Sequence, residues 1–421
     1  MVDDSMGSSR SRRRYIKTVA GAAGLAGLAG CTNDGGNADP TDTSGSDGNG
    51  DGGSSGGGTT TGSSGSESSD GYTFGYSPLY MADDWFTTWT KAGQWYAEDN
   101  GIDLITSNPS ADPAKQASQV KSMLNEGIDG LIISPVDSEA SASIVDEAVA
   151  NDVPVICSNS MSVNPKTKLF VAFDNYSAAE VCADLALQHL EDKYGEPRGQ
   201  VLDVMGPQRM QTLVQRREGF EKPLDEYDGI EVHSIETDLS REDAQTKVTN
   251  FLRTEGELDV VYAANPNAML GAQSALERFD MRKPRGEEGH VYSTLFAANP
   301  PVVEAINNGY IDSALNQTPM FYGPISIKYM KMYLDADRDD SVFPEIGSEV
   351  TSDGLEISGN EHLGVNPWEN PLWAPAQVKD ITESFPSANG SYPYFQTNHL
   401  VVDESNVNEP YLWGNLATQY D

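Results

Sequence analysis

From residue 72 onward, apolar runs of four to six residues alternate with longer amphipathic segments, and this alternation limits the possible folds more than any single motif. Residues 72–77, 102–106, 130–134 and 153–158 read as short buried strands. Residues 85–99, 112–126 and 138–151 read as the helices between them. Asp112 before Pro113 is a good helix start, because Asp caps free N–H groups and Pro at the first helical position loses no bond it would have made. Gly101 and Gly127 stand where helices close. Strands linked by helices in this way form a parallel sheet covered on both faces.

The pattern restarts near Asp174. Strands are expected at about 200–204, 231–235, 260–263 and 291–294, with helices at about 178–193, 209–225, 241–253 and 267–279. Two units of this size suggest two similar α/β lobes, each a doubly wound parallel sheet, with a ligand enclosed between them.

Ahead of the lobes the chain is of another kind. Ser11-Arg12-Arg13-Arg14-Tyr15-Ile16-Lys17 fits a twin-arginine export pattern, and Leu28-Ala29-Gly30-Cys31 resembles a lipobox. Residues 18–30, Gly- and Ala-rich and only 13 long, are too short and too weakly apolar to span a membrane permanently. Residues 1–31 are therefore expected to be a twin-arginine lipoprotein signal, with Cys31 lipidated and the protein held at the outer face of the cytoplasmic membrane. Residues 32–71 hold 28 Gly, Ser or Thr in 40 positions and no Lys or Arg. Such a tether spans roughly 35 Å as a flexible coil.

Without the residues ahead of Cys31, 22 Lys and Arg face 62 Asp and Glu, a net charge of −40. No nucleic-acid surface is expected on such a chain. With 38% hydrophobic residues it still builds cores, so the acidity reads as a solvated surface adapted to high salt, a halophilic trait. Cys157, in an apolar run, and Cys182, in a helical pattern, read as small core residues rather than a disulfide.

Catalytic signals are absent from the sequence. Gly52-Gly-Ser54-Ser-Gly56 matches a nucleophile elbow without the strand and helix that would make it one. Asp47-Gly-Asn49-Gly-Asp51-Gly52 begins like a calcium loop but has Gly58 where the bidentate Glu belongs. The five His, at 189, 233, 290, 362 and 399, lack metal spacing, and no phosphate loop follows a strand. No enzyme, cofactor or metal is expected. Of three Asn-x-Ser/Thr sequons, at Asn175, Asn316 and Asn389, only Asn389 lies in an expected loop.

One series of segments is more specific than its parts. Asp112-Pro-Ala-Lys-Gln116, Gly127-Ile-Asp-Gly-Leu-Ile-Ile-Ser-Pro-Val-Asp137, Val153-Pro-Val-Ile156, Arg216-Arg-Glu-Gly-Phe220, the run from Ala263 through Asn265 to Ala272, and Glu304-Ala-Ile-Asn-Asn-Gly309 occur in this order. The series resembles the type 1 periplasmic binding proteins, specifically ribose-binding-protein-like solute receptors of ABC importers, over about 72–333 and again at 398–410. The resemblance implies two lobes joined by three hinge crossovers, near Asp174, Gln317-Thr318 and Asn398. It assigns 72–174 plus 318–397 to an N-terminal lobe and 175–317 plus 398–421 to a C-terminal lobe. Residues 337–396 are left as an insertion, expected to be a lobe-packing flap, and the stretch from His399 as the final strand. The implied partners are a small-molecule ligand, a membrane permease and its ATPase; the implied state is a monomer. A ligand-sensing receptor subunit is the alternative use of the same closure.

Sugars present apolar C–H faces and hydroxyl edges, so their receptors need aromatic plates and planar polar side chains. By resemblance, Trp85 and Phe86 are the stacking pair and Asp83 a polar group beside them, while Trp89, one turn on, reads as core. Ser134, Asn159 and Ser160 follow strands of the first lobe at ligand positions; Asn265 and Gln317 match an Asn and a Gln that bind sugar hydroxyls. An expected Arg aligns with Val214, for which Arg209 or Arg216 compensates. An expected Asp aligns with Ala297, with Asn299 the nearest polar substitute. Losing charges of both signs leaves a less polar pocket, suited to a monosaccharide other than ribose, a nucleoside or another neutral polar metabolite.

Overall fold

A computed structural model describes residues 71–416 apart from 356, 358–362, 364, 370 and 371. The expected signal, Cys31, nearly all of the tether and His362 lie outside the described residues. Among the described residues no helix is long and apolar enough to cross a membrane.

The first strands are β1 (Thr73–Ser77), β2 (Asp103–Thr106), β3 (Gly130–Ile133), β4 (Val155–Ser158) and β5 (Leu169–Phe173), with helices α1 (Asp84–Asp99), α2 (Pro113–Glu126) and α3 (Ser141–Ala150) between them. The capping logic holds at α2: Asp112 accepts from the N–H groups of Ala114 and Lys115, and Gly127 closes the helix at φ 84°. A second set follows, in the order α4 (Asn175–Tyr194), β6 (Gly199–Met205), α5 (Gln211–Leu224), β7 (Ile230–Glu236), α6 (Arg241–Glu255), β8 (Val260–Ala263), α7 (Pro266–Arg278), β9 (Tyr292–Phe296), α8 (Pro300–Asn307) and β10 (Ser313–Leu315). The chain returns through α9 (Tyr322–Asp335), β11 (Glu349–Val350), α10 (Ser352–Leu355), β12 (Ala376–Asp380), α11 (Ile381–Ser384) and β13 (Pro393–Thr397), then ends with β14 (Val401–Val402) and α12 (Trp413–Leu416).

Two sheets result. The first has eight strands in the order β11-β12-β13-β5-β4-β3-β1-β2, the second six in the order β14-β10-β9-β8-β6-β7. All pairs are parallel except β11 with β12, β12 with β13 and β14 with β10. The chain passes between the sheets three times, between β5 and α4, after β10, and between β13 and β14.

Several elements differ from expectation. β5 and β10 were not anticipated, because Leu169–Phe173 adjoins the point where the pattern restarts and β10 has only three residues. The final strand pairs over two residues only, Val401–Val402. Within residues 337–396, expected to be a lobe-packing flap, β11, β12 and most of β13 extend the first sheet beyond β5.

Packing of the first lobe centres on Tyr76, fully buried and stacked on Trp89 with ring centroids 4.0 Å apart. A Cβ on Gly93 would lie 2.5 Å from the Tyr76 Oη, so only glycine lets α1 seat this close to β1. Each fully buried large apolar side chain in such a core contributes about 1.5–3 kcal/mol. Cys157 and Cys182 are both free and buried, and burial pushes each thiol up to about 12. Neither serves as a nucleophile there.

Candidate functional site

Most of the expected ligand residues lie in loops or first helical turns after the carboxyl ends of strands, where doubly wound sheets place their sites, and Arg216 lies within α5. Gln317, at the second passage between the sheets, is the centre of the network. Its Oε1 accepts from Arg216 Nη2 at 2.8 Å, its Nε2 donates to Asn159 Oδ1 at 2.9 Å, and its backbone carbonyl accepts from Trp85 Nε1 at 2.9 Å. One residue thus joins α5 of the second lobe to α1 and to the loop after β4 in the first.

Trp85 opens α1 and is 7% exposed. Phe86 packs edge-on to it at 4.9 Å and Tyr322 lies tilted against it at 5.6 Å. Phe86 also meets Tyr80 at 5.0 Å. Trp89 is fully buried, its Nε1 donating to Ser158 Oγ, which makes it core as expected.

Arg216 donates from Nε to Asn175 Oδ1 at 2.7 Å and from Nη1 to the Ala264 carbonyl at 2.6 Å, with its guanidinium 4.2 Å from the Phe296 ring centroid. Burial lowers its pKa to about 10, so it stays charged at neutral pH with neutral acceptors around it. Asn159 adopts a left-handed φ of 67°, a conformation Asn tolerates better than most residues; this turns its side chain toward Gln317.

Three of the expected residues are helix N-caps. Asp83 accepts from Phe86 N and from the Tyr80 hydroxyl, the latter at 2.6 Å; burial raises its pKa, and those two bonds oppose the rise without cancelling it. Asn265 caps α7 through Ala268 N and turns its Nδ2 to the Leu239 carbonyl. Asn299 caps α8 through Val302 N while its Nδ2 reaches Asp84 of the first lobe at 3.3 Å. Each amide oxygen already accepts one bond from its own helix and each Nδ2 already donates one, which leaves Asn265 and Asn299 one lone pair and one N–H apiece to offer elsewhere.

Ser134 and Ser160 are fully buried, and neither hydroxyl has a partner among the described residues. The Ser134 carbonyl accepts from Gln116 Nε2. Trp85, Phe86, Asn159, Arg216 and Gln317 are therefore brought into one network and Asn299 joins it beside Trp85. Asp83 is bonded locally, Asn265 toward Leu239, and the two serines stand apart from these bonds.

Sequence reasoning missed Tyr80, Asp84, Asn175, Phe296 and Tyr322. Tyr80, three residues before the capping Asp83, had a local signal; Asn175 and Tyr322 had none. Asn175 and Asn316, two of the three sequon residues, are each 1% exposed, whereas Asn389 is exposed in a loop. Among the described residues no group of three or more His, Cys, Asp or Glu is placed to hold a metal. A surface cavity of about 260 Å³ lined by Lys328, Tyr329, Met332, Val342, Pro344 and Leu355 contains none of the expected site residues.

Comparison with known proteins matches residues 74–338 to the periplasmic binding protein domain. The chain is 25% identical over 255 residues to the ribose import binding protein of Bacillus subtilis (strain 168), covering 61% of this chain and 79% of that one. Its fold is similar to a galactofuranose binding protein, with a TM-score of 0.64 at 18% identity, over 82% of this chain and 99% of the other. It is also similar to a carbohydrate transporter solute binding protein from Agrobacterium radiobacter in complex with D-arabinose, with a TM-score of 0.64 at 16% identity, over 83% and 100% of the two chains.

Proposed function

The chain belongs to the type 1 periplasmic binding protein family, and from that membership we propose that it captures a monosaccharide between its lobes and delivers it to an ABC importer. The observation that carries this reading is the Gln317 hub. A residue at a passage between the sheets, bonded to Trp85 and Asn159 on one side and Arg216 on the other, is where closure of two lobes on a ligand would be registered.

Trp85 and Phe86 supply the apolar plate against a sugar's C–H face. Arg216, Asn265, Asn299, Gln317 and Asn159 address the hydroxyl edges, and the unpartnered hydroxyls of Ser134 and Ser160 add groups that both donate and accept. Asp83 fixes the start of α1 and so the pose of the plate. The passages near 174, 316–318 and 398–400 act as hinges. The protein works as a binding protein rather than an enzyme.

Lipid on Cys31 holds the monomer to the outer face of the membrane, where a permease and its ATPase receive the closed form. The tether at 32–71 gives the lobes reach, and the acidic surface suits high salt. The test is a thermal-shift screen in high salt against pentoses, hexoses, inositols, nucleosides and amino acids. A ligand at a hundred times its dissociation constant adds about 2.7 kcal/mol. Stabilisation by amino acids alone would remove the sugar assignment.

A further inference from the structure

Residues 337–396 do more than widen the first sheet. The Ser384 carbonyl at the end of α11 accepts from Gln215 Nε2 of α5 at 2.7 Å, a bond from this segment to the second lobe. Gln215 is buried and adjoins Arg216. α11 is a firm platform for that carbonyl, because Ile381 and Phe385 on either side of it are buried and Phe385 packs edge-on to Phe170 of β5. The same segment holds the passages between the sheets. The Trp373 carbonyl accepts from the Asn398 N–H at 2.8 Å, and Trp368 and Trp373 pack on Phe321, which follows the second passage, at 4.8 and 6.3 Å.

We infer that residues 373–384 brace the closed arrangement of the lobes, with Gln215 as a positioning residue that holds α5, and through it Arg216, against the cleft. The inference rests on the receptor reading only in requiring that the lobes open. The bond between Gln215 and Ser384 runs from one lobe to the other and is lost when they do, whereas the Trp373 bond is made to Asn398 at a passage itself. Ligand release is then governed partly from outside the ligand's own contacts.

Hydrogen exchange of the full chain, without any ligand, tests this. Gln215→Met removes the donor without adding charge. It should speed exchange about fivefold at the amides of 316–318, 398–399 and the first turn of α1, as expected for one lost bond that shifts the balance toward the open form. Changes confined to α5 and 381–388 would overturn the inference and leave Gln215 a local structural residue. Gln215→Cys with Ser384→Cys gives the converse, since oxidation should slow the same distant amides below the unmodified rate; a cross-link that leaves them unchanged also overturns it. Because no sugar enters the experiment, a failure to bind sugars leaves its outcome readable.

Discussion

At the candidate site the first lobe contributes rings and the second a guanidinium and capping amides. Trp85, Phe86 and Tyr80 form a run of ring contacts at the start of α1, with Asp84 beside Trp85 and the Asn159 Oδ1 joined to the same network through Gln317. Across from them, Arg216 is all donor, and the Asn265 and Asn299 oxygens each already accept one bond from a helix cap. The difference follows from where each lobe finds its residues. α1 begins with Trp85 and Phe86 in its first turn, whereas α7 and α8 begin with Asn-Pro, and the Asn that caps each helix also follows the end of a strand. The pairing suits a ligand with an apolar face and several oxygen acceptors.

The largest expected effect is on the donor side. Arg216→Met would leave Asn175 Oδ1, the Ala264 carbonyl and Gln317 Oε1 without a donor. With each charge-assisted bond worth about 1.5–3 kcal/mol and some relief from no longer burying a cation, the net loss should be roughly 3–5 kcal/mol in unfolding free energy, with binding abolished. Denaturant unfolding checks it; a variant as stable as the parent would show that the guanidinium does not hold the passages.

Next comes the ring side. Trp85→Ala should weaken ligand affinity by about 2–4 kcal/mol. The unliganded protein should lose less than the roughly 3–5 kcal/mol typical of a core Trp or Phe, since opening of the lobes would already part Trp85 from Gln317. A full core-sized loss with unchanged affinity would move Trp85 from the plate into the core and break the contrast between the lobes. Gln317→Ala, which touches both sides, should reduce affinity by about 1–3 kcal/mol. Equal losses in titrations with and without the Trp85 change would separate the two contributions; strong non-additivity would show that they act as one unit.

The smallest effect distinguishes the lobes by pH. In the second lobe His290 bonds both oxygens of Asp312, with Arg285 on the same carboxylate. Burial pulls His290 down, but the bond and charge of Asp312 outweigh it, so its pKa is raised above 6.5. Its stabilisation is full below pH 6.5 and is lost as pH rises through the folded value. His189, close by, is pulled down by burial and so acts with the opposite sign, favouring the fold at higher pH. His290→Gln should remove the alkaline-side loss while leaving the first lobe's exchange rates unchanged. Identical pH profiles for the variant and the parent would deny His290 any part in it.

How far the sequence announced this architecture depends on the kind of signal. α2 was legible because its cap, its proline and its closing glycine are all local. β12 carries a strand's alternation, with Ala376 and Val378 buried and Gln377 and Lys379 exposed, but five residues amid aromatic irregular chain do not announce themselves. Trp85 and Phe86 were legible because they follow a strand and open a helix. Asn175 was visible only as a sequon, since its bond to Arg216 spans 41 residues and depends on how α4 and α5 pack. The brace at Ser384 spans 169 residues and had no sequence signature at all.

The central claim is that a sugar binds between the ring-bearing and donor-bearing lobes. Titration calorimetry of the full chain with the best sugar from the thermal-shift panel, repeated on Trp85→Ala and on the distal Lys328→Ala, tests it most directly. Binding should be saturable and one-to-one, weakened by a factor of about 30 or more by the first change and left unchanged by the second. Binding that survives in Trp85→Ala and fails in Lys328→Ala would place the site in the cavity beside α9 and contradict it.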